Sequence, residues 1–216
     1  MPRESQRPLR ADAERNRQLI MRTAADMFAQ RSALVPLNEI AHQAGVGVGT
    51  VYRRFPDLQA LLQAMFVERF TGFVQLATAA AQQPEPARAL RHYMLEAAQL
   101  RARDQALDVI LANADTDVEP LAQLRDELAH LVDGLASRAT ATGAVREDFK
   151  SADVYAFIYM IGAVADRTDD IAPDAWRRYA DVLLMGFGLA QAPAEKTVSM
   201  SDDQLRKARP RPPDPI

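Results

Sequence analysis

Apolar residues along this chain recur at spacings of three and four, and strand-like alternation appears nowhere. Ile20, Ala24, Met27 and Phe28 keep that period through a first predicted helix over residues 12–31. Pro36 suits the first turn of a short second helix ending at Ala44, where its missing N–H is not needed. Gly45-Val46-Gly47 breaks the chain, and a third short helix spans 48–55. Pro56-Asp57 opens a long fourth helix to about residue 82. In it Leu61, Leu62, Met65, Phe66, Phe70, Phe73 and Leu76 form a stripe wide enough to be buried or bridging. Further helices are predicted over 87–103, 104–113, 119–141, 151–166 and 173–190, with Gly143 ending one and Ser151 capping the next. Residues 193–216 hold five prolines and no sustained apolar face, and are expected to form a disordered tail. The expected fold is all-α.

The short helices near the N-terminus meet a demanding steric pattern. Two helices that cross at a tight turn need a small residue where they touch, a turn residue after it, and an apolar anchor on the second helix. Ala41, Gly45 and Val51 supply these at offsets of 0, +4 and +10, with Ile40, Ala44 and Val46 packed around them. This is the layout of a helix-turn-helix, whose second helix enters the major groove of DNA.

The composition narrows the classes further. With 216 residues, 48% hydrophobic and 25% charged, the chain can bury a core without staples. It has no cysteine, which excludes disulfides, thiolate metal sites and cysteine nucleophiles. No apolar run is long enough for a membrane helix, and Met1 to Arg17 is too polar and Arg-rich for a signal peptide, so a cytoplasmic protein is expected. The net charge of −3 hides an asymmetry: residues 1–56 carry nine Lys/Arg against five Asp/Glu, while 57–192 carry twelve against twenty. A basic head on an acidic body implies that only the head meets a polyanion.

Residues 37–66, LNEIAHQAGVGVGTVYRRFPDLQALLQAMF, resemble the DNA-binding region of the tetracycline-repressor (TetR) family of transcriptional regulators. The first helix, IMRTAADMFAQR at 20–31, is similar to that family's opening helix, and Thr50, Tyr52, Phe55 and Pro56 are the most specific landmarks. The resemblance implies an N-terminal helix-turn-helix domain joined to a helical ligand-binding and dimerisation domain. Four positions depart from the family pattern. Val35-Pro36 stands in place of Thr-Ser, Gly47-Val48 in place of Ser-Lys, Leu58 in place of Lys, and Ser32 in place of Gly. Three of these remove phosphate contacts or a helix cap. The expected organisation is a flexible basic arm over 1–11, the DNA-binding domain over 12–56, the regulatory domain over 57–192, and the tail.

The residues that remain on the third helix still suit DNA. Thr50 and Tyr52 offer hydroxyls to phosphate, and Arg53 and Arg54 offer charge. Arg53 is the better guanine reader, Val48 suits a thymine methyl, and Gly47 and Gly49 let backbone come close. Arg3, Arg7 and Arg10 would add salt-dependent affinity from the arm. In the body, Phe66, Phe70, Met94, Ile110, Asn113, Tyr155 and Tyr159 are candidates to line a pocket for a small apolar effector, although core packing explains most such residues equally well. The helices over 151–166 and 173–190 look like the family's dimerisation pair, with Tyr155, Tyr159, Gly162, Ala163, Trp176, Tyr179 and Leu183 at the homodimer interface.

Other chemistry finds little support. The glycines at 45, 47 and 49 follow a helix and lack the lysine of a phosphate loop. His42, His92 and His130 are too scattered for a metal site, and the acidic stretch Asp115-Asp117-Glu119 lacks a calcium loop's glycine and closing glutamate. No catalytic motif is present, so no enzyme activity and no cofactor are expected. The competing reading is an all-α ligand-binding or protein-interaction module with a degenerate helix-turn-helix.

Overall fold

A computed structural model of the chain describes residues 6–189 and 199–208. Among these residues there are helices and no strands: α1 (Gln6–Arg31), α2 (Leu37–Gln43), α3 (Val48–Arg54), α4 (Leu58–Ala81), α5 (Pro86–Ala102), α6 (Leu107–Asn113), α7 (Leu121–Ala141), α8 (Ser151–Thr168), α9 (Ala175–Gly186) and α10 (Asp202–Lys207). None is long and apolar enough to cross a membrane. The chain packs as two compact units, one drawn from Met1–Thr71 with Gln105–Leu124, the other from Gly72–Asp104 with Arg125–Ile216.

The core of the first unit joins Ile20, Ala24 and Phe28 of α1 to Ile40 and Ala41 of α2, Val51 of α3, Leu61, Leu62 and Met65 of α4, and Ile110 of α6, all fully buried. Each large side chain removed from water in this way contributes roughly 1.5–3 kcal/mol. The first half of α4 therefore packs as part of the head, past the boundary expected at residue 57. Asp57 starts that helix by accepting the Ala60 N–H at 2.8 Å.

In the second unit α5 lies against α8 and α9. Its buried Tyr93, Met94 and Ala97 meet a core that includes Val154, Phe157 and Ile161 of α8 and Trp176, Ala180 and Leu184 of α9. Arg101 on α5 is 2% exposed and donates two bonds to the Asp166 carboxylate on α8, at 3.1 and 2.7 Å, and one to the Asp104 carbonyl at 3.2 Å. Its side chain lies across Gly162, where any Cβ would fall 2.6–2.8 Å from it. A buried guanidinium needs such a paired carboxylate, because an isolated charge would be costly to desolvate.

Several ends differ from the sequence-based expectation. Helix α1 begins at Gln6 rather than residue 12, so the second half of the expected flexible arm is helical, while residues 1–5, with Arg3, lie outside the described residues. Pro8 does not prevent this, because it sits in the first turn, where no N–H is needed. Ion pairs Asp12–Arg15 and Glu14–Arg17 lie along the same helix. Ser151 is the first residue of α8 instead of its cap: Asp153 reaches back to the Lys150 N–H at 2.8 Å, and Ser151 bonds Asp133 at 3.2 Å. Within the expected tail, Ser201 and Gln204 form a reciprocal capping pair that starts α10. The rest of that segment, apart from 199–208, lies outside the described residues.

Candidate nucleic-acid interface

The turn between α2 and α3 is built by backbone bonds. Gly45 has φ +67, a left-handed conformation that costs other residues a Cβ clash. From there the Gly45 N–H reaches the His42 carbonyl at 3.1 Å and the Val46 N–H reaches the Ala41 carbonyl at 3.0 Å. This double closure ends α2 in a Schellman motif and sends the chain directly into α3. Ala41 and Val51, the predicted contact and anchor, are both fully buried. Arg31 of α1 pairs with Glu39 of α2 at 2.8 Å across the same head.

Helix α3 has two distinct faces. Val51 and, just past its end, Phe55 point into the core. Val48, Gly49, Tyr52, Arg53 and Arg54 are exposed, Val48 and Tyr52 by nearly half their surface. Large apolar or aromatic groups seldom stay in water on a rigid helix without a contact to make. Arg53 donates to the Thr50 hydroxyl at 2.9 Å, lying across Gly49, where an added Cβ would stand 3.8 Å from its Nη1. Thr50 accepts from Arg53 and keeps its own O–H for an outside acceptor. Gly47 caps α3 with no side-chain bond, and Pro36 does the same for α2. Both helices of the motif thus start on backbone alone.

The predicted pocket residues fall in both units, four in the first and three in the second. Phe66 and Phe70 stack with ring centres 3.9 Å apart, in the same core cluster as Ile110. Asn113 is exposed, its side-chain amide donating to the Val109 carbonyl at 2.7 Å and its backbone carbonyl accepting from Gln59 at 3.0 Å, so it closes α6. Met94 is fully buried in the second unit, where Tyr155 is 41% and Tyr159 67% exposed. The polar group that stands out is Tyr93: among the described residues its buried hydroxyl has no partner. Burial, with a smaller contribution from Tyr155, pushes that phenol far above its ordinary range, and burial does the same, more mildly, to Tyr155.

The predicted interface residues also divide. Gly162 lies under Arg101 and Trp176 is buried, so both serve packing within the chain. Ala163 is exposed, and Tyr179 and Leu183 are half-buried. Together with Tyr155, Tyr159 and Met160 of α8, the exposed Val182 and Met185 of α9 form apolar surface that solvent does not favour. Val182 and Met185 escaped the sequence reading. Their signal was the continuation of the Tyr179–Leu183 stripe at helical spacing.

Comparisons with known proteins converge. Residues 20–65 match the family described as bacterial regulatory proteins, tetR family, and residues 85–191 match the family described as transcriptional regulator SbtR-like, C-terminal domain. An HTH-type transcriptional regulator of Staphylococcus aureus, SAR0097, is 41% identical over 64 residues, 29% of this chain, which spans 34% of that relative's length. The solved structure of a TetR transcription regulatory protein from Mycobacterium vanbaalenii is 30% identical, with a TM-score of 0.52, over 83% of this chain and 99% of that one. PfmR from Thermus thermophilus, a TetR family transcriptional regulator, is 20% identical over 76% of this chain and 93% of its own, with a TM-score of 0.61.

Proposed function

Since this chain belongs to the tetracycline-repressor family of transcriptional regulators, we propose that it represses transcription as a homodimer on a near-palindromic operator and lets go when a small apolar effector binds. The observation that carries the reading is the division of α3: Val51 and Phe55 hold it to the core, while Val48, Tyr52 and Arg53 are exposed on its outer face. Thr50 and Tyr52 fix register on phosphates, Arg54 adds charge, and Gly47 and Gly49 let the helix start approach closely. Arg53 reads guanine O6 and N7, and Val48 meets a thymine methyl.

The exposed apolar strip on α8 and α9 supports pairing of two copies about a two-fold axis, with Tyr155, Tyr159, Ala163, Tyr179 and Leu183 in it. Two recognition helices would then sit one DNA turn apart, ~34–36 Å. The unpartnered Tyr93 hydroxyl supports an effector with one hydrogen-bonding group on an apolar body. Such an effector must prefer the state that does not bind DNA, because equal affinity for both would shift nothing. The competing reading, a helical module that has lost DNA binding, has no observation in its favour beyond the missing caps and the lysine absent at residue 58.

Fluorescence anisotropy on DNA fragments from upstream of the chain's own reading frame, across a salt series, tests the proposal. Saturable, sequence-selective binding by two protomers, with a steep fall as salt rises, is expected. Arg53→Ala should cost roughly 1–3 kcal/mol and relax selectivity at one base pair, while Tyr52→Ala should weaken binding on all fragments alike. Equal, weak binding on every fragment, unchanged in both variants, would leave the helix-turn-helix without a DNA role.

A further inference from the structure

Residues Gln83, Pro84, Glu85, Arg88 and His92 line an open cleft of about 270 Å³ at the α4–α5 turn. Its walls are held firmly. Arg138 of α7 donates to the carbonyls of Ala81 at 2.8 Å and Gln83 at 2.7 Å, which fixes the end of α4. Pro84 and Pro86 restrict the chain between them. Arg88 and His92 stand one turn apart on α5, so both reach the same side of the cleft. Among the described residues neither has an ion pair or hydrogen bond. The first turn of α5 adds unbonded N–H groups and the positive end of its dipole to the same region.

We propose that this cleft binds a small carboxylate carried on a compact apolar body. Arg88 offers a planar fork that matches a carboxylate with two parallel bonds, and His92 supplies a further N–H donor to the same anion. Pro84 gives the apolar body a ring to rest on. Glu85 also lines the cleft, and its charge opposes a dianion more strongly than a single carboxylate. The volume admits a ligand of roughly the size of benzoate and falls just short of the ~300–1,000 Å³ of drug-sized pockets.

Isothermal titration of the full chain, without DNA, with sodium benzoate, benzamide and inorganic phosphate tests this. Benzoate should bind saturably at one site per chain, at least tenfold tighter than benzamide or phosphate. Arg88→Ala and His92→Ala, both at exposed positions, should each weaken benzoate at least tenfold, and Tyr93→Phe should leave it unchanged. Absence of saturable benzoate binding would overturn the proposal, as would phosphate binding more tightly. Benzoate binding that survives Arg88→Ala but falls in Tyr93→Phe would place the ligand at the effector site instead and overturn it as well. DNA binding is not read in this titration, so its outcome is independent of the repressor reading.

Discussion

At the scale of single residues, the departures from the family pattern become energies. Ser32 follows α1 with φ +50, the position where relatives carry glycine. A side chain in that left-handed region costs about 1–2 kcal/mol, so Ser32→Gly should raise stability by roughly 1 kcal/mol in urea denaturation, with operator affinity unchanged. Tyr93 is the opposite case, a polar group with no partner in the fold. Tyr93→Phe should stabilise the free protein by about 1 kcal/mol, since it removes a buried, unsatisfied hydroxyl. It should also flatten the alkaline side of the stability profile. The folded phenol is held above its ordinary value of 10.0, so the stability from keeping it neutral is complete below that pH and is lost as pH climbs past it. Tyr155, shifted in the same direction, will keep part of that slope in the variant.

Helices are local objects, and at that scale the sequence was most legible. Ala41, Gly45 and Val51 predict the crossing of α2 and α3 because spacing alone decides which of them touch and which of them turns. The ends were less legible where two rules competed. The start of α1 lies within the stretch expected to be a flexible arm, where a first-turn Pro8 is harmless, and Ser201 with Gln204 is a capping pair set in a proline-rich stretch. Which face of a helix stays outside is legible for α3 but not for α8 and α9. Gly162 and Trp176 look as suited to an interface as Tyr159, and only the arrival of Arg101 from α5 and the depth of the Trp176 site assign them inward. Phe66, Ile110 and Met94 are buried, a burial that core packing and a pocket lining both require, so the sequence does not separate the two roles. The uncapped start of α3 gives a prediction at this scale. Gly47 has φ −62 and ψ 135, and a Cβ there would meet Thr50 Oγ1 at an ordinary 3.7 Å. Gly47→Ser should therefore stabilise the head by a few tenths of a kcal/mol, read by thermal melting.

For the molecule as a whole, charge and pairing decide the behaviour. The basic surplus belongs to residues 1–56, which hold the helix-turn-helix, while 57–192 is acidic, so in the proposed dimer each copy would turn its basic segment to the duplex. In the proposed dimer, linking two heads would raise the apparent affinity by roughly 10²–10⁴ over one head alone. Tyr159 and Met185, 67% and 64% exposed on α8 and α9, lie in the strip assigned to pairing. The double variant Tyr159→Glu, Met185→Glu should sediment as a monomer, keep its helical circular dichroism, and lose at least a hundredfold in operator affinity. A dimer that persisted in that variant would move the interface elsewhere.

The two faces of α3 carry a consequence for how such a protein changes over generations. Val51 and Phe55 are buried in the head's core, while Val48, Tyr52 and Arg53 stand outside it. A duplicated copy can therefore alter its target sequence through single substitutions at the outer positions without passing through an unstable form. The price of acquiring a new regulatory connection is then set by the DNA it must find, and hardly at all by the fold that finds it.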